Sequence, residues 1–237
     1  MIPLRDNAAP RRLTPVNVTL IAANVAVFIY ELSLGPRVAD FVERFAMVPA
    51  AITRAFSIAL QQPGANRVGA LMPLMTTVTS MFVHGGLWHI AGNMLYLFIF
   101  GAAVEYRMGA SRYLAFYFAA GIAAALATVC IAPHSDVPVI GASGAIAGVL
   151  GAYFILYPRE RILTILPIFI FVQFIEIPAV IYLLVWFAVQ LYAGIEEGGR
   201  AGATGGVAWW AHVGGFMFGI ALGPLLAMNH PRRRRSK

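Results

Sequence analysis

The chain has 237 residues, of which 60% are hydrophobic and only 11% are charged. Its mean hydropathy of +0.77 lies above the usual range of soluble domains, so composition excludes a water-soluble enzyme and predicts a membrane protein. The formal charge of +7 does not indicate a nucleic-acid partner. The Arg and Lys residues form short clusters beside apolar segments, which is the pattern of membrane topology signals. The single cysteine, Cys130, leaves no intramolecular disulfide to form.

Apolar stretches of about 20 residues, the length that crosses a hydrocarbon core of about 30 Å, recur along the chain. We therefore predict an all-α polytopic membrane protein with six transmembrane helices between residues 17 and 228. In chain order, the predicted spans cover 17–34, 87–105, 112–132, 141–157, 177–193 and 207–228. The apolar run 162–192 is too long for one span and is interrupted by Pro167 and Pro178, so the fifth span takes its second half.

The segments outside the spans differ in character. The loop 35–86 carries an amphipathic tract and a Pro-containing apolar tract, which are predicted to be interfacial or partly re-entrant. The loop 193–207 contains six Gly residues, which indicates either a mobile cap over the site or a solvated connector. Residues 1–16 are predicted to form a cytoplasmic N-terminal segment. Residues 229–237 form a basic cytoplasmic tail, whose RRRR favours a topology anchor over a lipid-binding site.

Basic residues predict the orientation of the spans. With the N-terminus inside, twelve of the 17 Arg and Lys residues lie in cytoplasmic segments, and four of the other five lie in the long loop 35–86, where the rule is weak. Both termini are therefore predicted to be cytoplasmic, as an even number of spans requires. The second, fourth and sixth spans then begin on the outer side.

The first turns of these three spans hold the least expected side chains of the chain: His89 and Asn93, then Ser143, then His212. Charged side chains within spans cost about 2.5 to 3.5 kcal/mol on insertion scales, so ionisable residues there indicate function. Taken singly, each has a structural explanation, since small serines favour helix packing and His or Asn often bridges helices. Their common depth on three helices favours a shared site.

Glycine spacing predicts that the fourth and sixth spans pack closely. Gly144 begins one G-x-x-x-G motif, and Gly215 and Gly219 belong to a second, on the stripe that also carries His212. Gly141 permits a tight entry into the fourth span. Close approach of two helices is what a Ser-His hydrogen bond of about 2.6 to 3.2 Å requires.

These residues suggest a serine protease mechanism. Ser143 would be the nucleophile, and His212 the general base that takes its proton and returns it to the leaving amine. The N–H groups of Ser143 and Ala142 at the start of a helix, with the side chains of His89 and Asn93, would stabilise the oxyanion. No acidic residue accompanies the pair convincingly, so we predict a catalytic dyad.

Four motifs occur in order along the chain: H-x4-H-x3-N at His84, His89 and Asn93; E-x-R at Glu105 and Arg107; G-x-S-G at Gly141, Ser143 and Gly144; and A-H-x-x-G-x-x-x-G at Ala211, His212, Gly215 and Gly219. Over residues 80 to 225 or so, the sequence resembles the rhomboid intramembrane serine proteases. The resemblance implies the six-helix rhomboid core, the same nucleophile, base and oxyanion residues, and membrane-anchored, usually single-span, protein substrates. We interpret His84 as structural, and Glu105 and Arg107 as fixing the turn between the second and third spans.

The sequence departs from some members of this family at Ala147. Those members carry an aromatic residue at this position, which packs on the base histidine, and Trp209 or Trp210 could take that role here. Neither a zinc motif H-E-x-x-H nor a cofactor motif is present, so we predict neither a metal nor a cofactor.

The predicted partners are transmembrane protein substrates and membrane lipid, and the fifth span is predicted to move to admit a substrate. A short chain without targeting extensions favours a prokaryotic plasma membrane. Two other functions stay open: a non-catalytic rhomboid-like protein that binds membrane clients, and a transporter that uses the histidines as a polar relay.

Overall fold

The structure is a computed structural model that describes residues 1–8, 14–61, 67–168, 171–197 and 208–227. Its helices, in chain order, are α1 (Pro15–Ser33), α2 (Val38–Phe45), α3 (Pro49–Gln61), α4 (Arg67–Thr79), α5 (Leu87–Met108), α6 (Ala110–Ile131), α7 (Ser143–Leu156), α8 (Ala179–Glu196) and α9 (Trp209–Leu226). Most of the predicted cap loop and the whole predicted basic tail lie outside the described residues.

Within the described ranges, five helices are long and apolar enough to cross a membrane: α1, α5, α6, α8 and α9. They match the first, second, third, fifth and sixth predicted spans to within a few residues. The fourth predicted span corresponds to α7, which has 14 residues and is therefore only about 21 Å long. Most of α7 is buried among the other helices, which explains why it is apolar on every side.

Glycines bring α7 into backbone contact with its neighbours. A Cβ on Gly215 would overlap the carbonyl oxygen of Gly144, and one on Gly219 would overlap that of Gly148. A Cβ on Gly148 would also overlap the Cβ of Ala120 on α6. The predicted close packing of the fourth and sixth spans is therefore confirmed, as α7 against α9.

Part of the chain forms a small antiparallel sheet, so the all-α prediction is wrong here. The strands β1 (Ile2–Asp6), β2 (Arg161–Ile168) and β3 (Phe171–Pro178) pair in the order β1-β2-β3. The segment that forms β2 and β3 is rich in Ile, Val and Phe, which favour strands. Within a long apolar run, such strands are not distinguished from part of a helix by periodicity.

The segment between the first two predicted spans is largely helical. Its amphipathic tract forms most of α2 and the first half of α3, and its apolar tract forms most of α4, which contains Pro73. Both α3 and α4 pack against α6. This segment thus lies against the side of the bundle that carries α6.

A π-helical turn at Leu97–Gly101 interrupts α5 and receives a side chain from α1. The amide of Asn17 donates to the Leu97 carbonyl oxygen at 3.0 Å, and its Oδ1 accepts the hydroxyl of Tyr113 at 2.8 Å. A Cβ on Gly101 would overlap the Asn17 side chain. The wide turn and the glycine therefore make room for a buried amide that joins α1, α5 and α6.

Candidate active site

Ser143 is the first residue of α7 and is partly exposed. The chain enters the helix through Gly141, whose φ of +110° is unfavourable for residues with a Cβ, and whose N–H donates to the Ser80 carbonyl oxygen at 2.8 Å. At the start of a helix the first N–H groups have no helical acceptor, so those of Ser143 and Gly144 are available to an anion. Ala142 before them is fully buried.

The close packing of α7 and α9 brings the residue after Ser143 against the residue before His212. An added Cβ on Gly144 would stand 3.7 Å from the Cβ of Ala211, the residue before the histidine. Within the described residues, the His212 ring is hydrogen-bonded to Gln190 and not to Ser143. Hydrogen bonds between a nucleophile and its base are often long in the absence of substrate.

Gln190 of α8 determines which nitrogen of His212 carries a proton. The ring Nδ1 lies 2.7 Å from the Gln190 Oε1, and both side chains are buried. An amide oxygen only accepts hydrogen bonds, so Nδ1–H is the donor. In the neutral ring this leaves Nε2 with the lone pair, which is the form that a general base needs.

Aromatic rings surround the same imidazole. Trp186 of α8 lies tilted against His212 with ring centroids 5.9 Å apart, and Trp209 of α9 meets it edge-on at 6.2 Å. On α7 the fully buried Ala147 offers no aromatic ring to pack on the histidine. The proposed substitute Trp209 thus does contact the ring, whereas Trp210 packs near Gly194.

His89 has the opposite arrangement of protons. The backbone N–H of Gly85 donates to the His89 Nδ1 at 3.3 Å, so in the neutral ring the proton is on Nε2. That Nε2 lies 2.6 Å from the position of a Cβ on Gly141, beside the start of α7, and the Asn93 Nδ2 lies 3.5 Å from the same position. The Asn93 Nδ2 is buried and makes no hydrogen bond within the described residues. Two donors therefore point toward the chain just before Ser143.

His84 supports His89 from behind. The two rings meet edge to face with centroids 5.2 Å apart, and the His84 Nδ1 donates to the Phe82 carbonyl oxygen at 3.1 Å. Burial, then the neighbouring His89, lower the pKa of His84 to about 4. The His84 N–H donates to the carboxylate of Glu31, a buried residue of α1, at 3.2 and 3.3 Å. This geometry supports the interpretation of His84 as structural.

Glu105 and Arg107 lie far along α5 from these residues. The carboxylate of Glu105 accepts the N–H groups of Val16 at 3.1 Å and Asn17 at 2.7 Å. It therefore holds the first turn of α1, where a negative charge is favourable. The backbone carbonyl oxygen of Glu105 accepts the N–H of Gly109 at 2.8 Å in the turn between α5 and α6, where its predicted role stays a prediction. The Arg107 guanidinium lies over the ring of Tyr157, 5.8 Å from its centroid.

Sequence reasoning missed Gln190, Glu31 and Trp186 as parts of the site. Gln190 is the only amide side chain in the fifth predicted span, and a polar residue in a span is a recognisable signal. Glu31 is an acidic residue within the first predicted span, but the direction in which its side chain points depends on how α1 packs. Trp186 has no signal in the sequence, since aromatic residues are common in apolar helices.

Comparison with known proteins identifies a family and several relatives of this chain. A family model described as the Rhomboid domain matches residues 73–229. Rhomboid protein 1, mitochondrial, of Saccharomyces cerevisiae is 30% identical over 167 residues, which cover 68% of this chain and 45% of that protein. Rhomboid protease GluP of Bacillus subtilis is 44% identical over 75 residues, which cover 32% of this chain and 14% of that protein. RHOMBOID-like protein 6, mitochondrial, of Arabidopsis thaliana is 26% identical and covers 92% of this chain and 69% of that protein.

The chain thus spans less than half the length of the yeast and Bacillus relatives. The family match and the five apolar helices make it a multi-pass integral membrane protein. Two of the three relatives are named as mitochondrial, so they do not support the predicted prokaryotic plasma membrane.

Proposed function

Because the chain belongs to the rhomboid family, we propose that it is an intramembrane serine endopeptidase that hydrolyses peptide bonds of membrane-anchored, single-span proteins. Relatives named as rhomboid proteases support the activity. The residues that would perform it are Ser143 and His212 as a dyad. The observation that carries the proposal is the hydrogen bonding of the two histidines. Nδ1 of His212 meets an amide oxygen, which leaves Nε2 to accept a proton, and Nδ1 of His89 meets a backbone N–H, which leaves Nε2–H to donate.

In the acylation step, Ser143 Oγ attacks the carbonyl carbon of the scissile peptide, and its proton passes to Nε2 of His212. The protonated imidazole then gives that proton to the nitrogen of the leaving amine, and the acyl group stays on the serine. Gln190 keeps its hydrogen bond to Nδ1–H throughout, so it orients the ring without becoming charged. An amide in this position is consistent with a dyad rather than a triad.

The tetrahedral intermediate carries an oxyanion that needs fixed donors. His89 Nε2–H and Asn93 Nδ2–H point toward the entry to α7, and the N–H of Ser143 lies at the helix start. Loss of one such donor in a water-poor site costs about 3 to 4 kcal/mol of transition-state stabilisation. The unpaired amide of Asn93 is the donor with most to gain, because its burial leaves it without a partner until the oxyanion forms.

A substrate helix would enter between α5 and α8. The two helices are joined by a hydrogen bond between the hydroxyls of Tyr96 and Tyr182, 2.7 Å apart, near the end of α8 remote from His212. Between this contact and Gln190, α8 presents Leu184, Val189 and other exposed apolar side chains to the surroundings. Outward movement of α8 would open a path to Ser143, and the loop 193–207 stays a predicted cap.

A fluorophosphonate probe on the purified full chain in detergent tests the nucleophile directly. We expect the wild type to be labelled and to cleave a single-span reporter, and Ser143→Ala to lose both. Ser80→Ala is the matched control, since Ser80 lines the cleft beside Ser143 and contributes only a backbone carbonyl to its support. Absence of label in a preparation that binds the reporter would contradict the proposal and favour a client-binding protein. Activity lost only with the histidines would favour a polar relay.

A further inference from the structure

The three-stranded sheet has one face against the bundle and one apolar face turned away from it. On the inner face, Ile162 and Thr164 are completely buried. On the other, Ile2, Ile165 and Phe174 form one row across the three strands. Phe174 is 63% exposed and Ile2 is 50% exposed. We call the row and its neighbour Val172 the outer face.

The sheet is attached to the membrane-spanning bundle at every strand. β2 begins a few residues after α7, and β3 runs into α8 without a loop, where the N–H of Ala179 donates to the Glu160 carbonyl oxygen at 2.7 Å. β1 packs against the π-helical turn of α5, in the half of this 22-residue helix that is cytoplasmic in the predicted topology. The sheet is therefore held beside the bundle near one membrane surface, not out on a linker.

Charges occupy the end of the outer face that adjoins the helices. Arg5 and Glu176 flank Leu163 across the strands, and Arg161 lies on the same side two residues along β2. All three charged residues are exposed. The sheet thus has a charged end and an apolar end, and its predicted position is the cytoplasmic side, where anionic lipids attract Arg and Lys.

We propose that the outer face lies on the lipid interface, with Val172 and Phe174 among the acyl chains and Arg5 and Arg161 at anionic headgroups. Exposed apolar rows favour transfer out of water, and the bilayer is already adjacent on this side. Open strand edges do not occur in the hydrocarbon core, because their N–H and C=O groups need partners. The sheet therefore stays at the depth of the headgroups, where water reaches its edges.

Site-directed spin labelling of the full chain in nanodiscs with a mixture of zwitterionic and anionic lipids tests this. Cys130→Ala removes the single cysteine, and single cysteines then replace Val172 or Phe174 to carry the label. Leu184→Cys on α8 serves as the lipid-facing control, and Asp136→Cys in the exposed loop before α7 as the water-facing control. All four positions are exposed, so the substitutions remove no buried contact.

We expect the labels at 172 and 174 to collide with oxygen severalfold more than with a water-soluble nickel chelate, as at the lipid-facing control. A preference for the nickel chelate, as at 136, would overturn the proposal. Low collision rates with both reagents would also overturn it, because they would show that protein, such as a second copy of the chain, covers this face. None of these outcomes depends on protease activity.

The headgroup contact has its own test. Raising the anionic lipid fraction is expected to increase the oxygen preference at 174, and Arg5→Gln with Arg161→Gln is expected to remove that increase. Arg44→Gln with Arg54→Gln, on the opposite side of the membrane in the predicted topology, is the matched control. An increase that survives the first pair of substitutions would contradict the role of Arg5 and Arg161.

Discussion

The two helix pairs that surround the site are built differently. α7 and α9 meet backbone to backbone along glycines, whereas α5 and α8 meet through side chains such as Tyr96 and Tyr182. Backbone contacts leave no rotamers to rearrange, and side-chain contacts can repack. The proposed nucleophile and base are on the first pair, so their spacing is fixed, while the second pair is suited to open for a substrate.

Gln190 connects the two pairs. It belongs to α8, the helix proposed to move, yet it holds the ring of His212 on the fixed pair. A large displacement of α8 would break this hydrogen bond. The base would then be correctly oriented only when α8 has returned, so that the position of the proposed gate and the readiness of the base are coupled.

The largest effect is expected where the fixed pair is forced apart. In Gly219→Ala the new Cβ would overlap the Gly148 carbonyl group, and overpacking of this kind costs about 1 to 3 kcal/mol or more. We expect a fall of several degrees in the melting temperature in detergent, together with loss of activity. Gly92→Ala on α5 is the control, because a Cβ there meets nothing within 4 Å. Equal stability of the two variants would contradict the rigid interface.

The next largest effect is expected from acid, which should destabilise the fold at His84, just before α5. The pKa of His84 is about 4 in the folded protein against 6.5 for the free side chain. The contribution of the neutral His84 ring to the free energy of unfolding is fully present above pH 6.5 and is lost as pH falls toward 4, because the unfolded chain binds the proton first. The shift corresponds to about 3 kcal/mol. Denaturation measured from pH 7.5 to 4 should show a shallower decline in the free energy of unfolding for His84→Gln than for the wild type. His134→Gln, at an exposed histidine, is the control.

Removing the link between the two pairs should have a smaller effect. Gln190→Leu keeps the size of the side chain but leaves Nδ1–H of His212 without its acceptor. One hydrogen bond contributes about 1 to 1.5 kcal/mol, which corresponds to roughly tenfold in rate. We expect that loss in kcat with little change in KM and with folding intact. An unchanged kcat would mean that α8 does not orient the base.

The smallest effect is expected within the side-chain pair. Tyr96→Phe removes the hydroxyl contact to Tyr182 and is expected to lower stability by less than about 1.5 kcal/mol. If this contact restrains α8, cleavage of a single-span substrate should become faster while labelling by a small fluorophosphonate stays the same. Tyr192→Phe, on an exposed part of α8, is the control. A parallel change in both readouts would argue against a restraint on substrate entry.

Much of this organisation could be predicted from the sequence, because hydropathy, glycine spacing and misplaced polar residues are local signals. The spans at α1, α5, α6, α8 and α9, and the approach of Gly144 to Gly215, required nothing else. The sheet was missed because β2 and β3 lie within one apolar run and because β1, which pairs with β2, comes from the other end of the chain. The partner of Glu105 was missed for a similar reason, since Asn17 is 88 residues away.

The π-helical turn in α5 also makes the length of this helix critical. Such a turn is one extra residue in an α-helix, and the wide turn absorbs it without changing the face that the rest of the helix presents. Deleting Ile99 would therefore restore regular winding and leave Glu105 facing the N–H groups of Val16 and Asn17, but it would close the space that the turn makes for the Asn17 amide. A single-residue deletion here should therefore weaken the attachment of α1, although every residue of the motif would still be present.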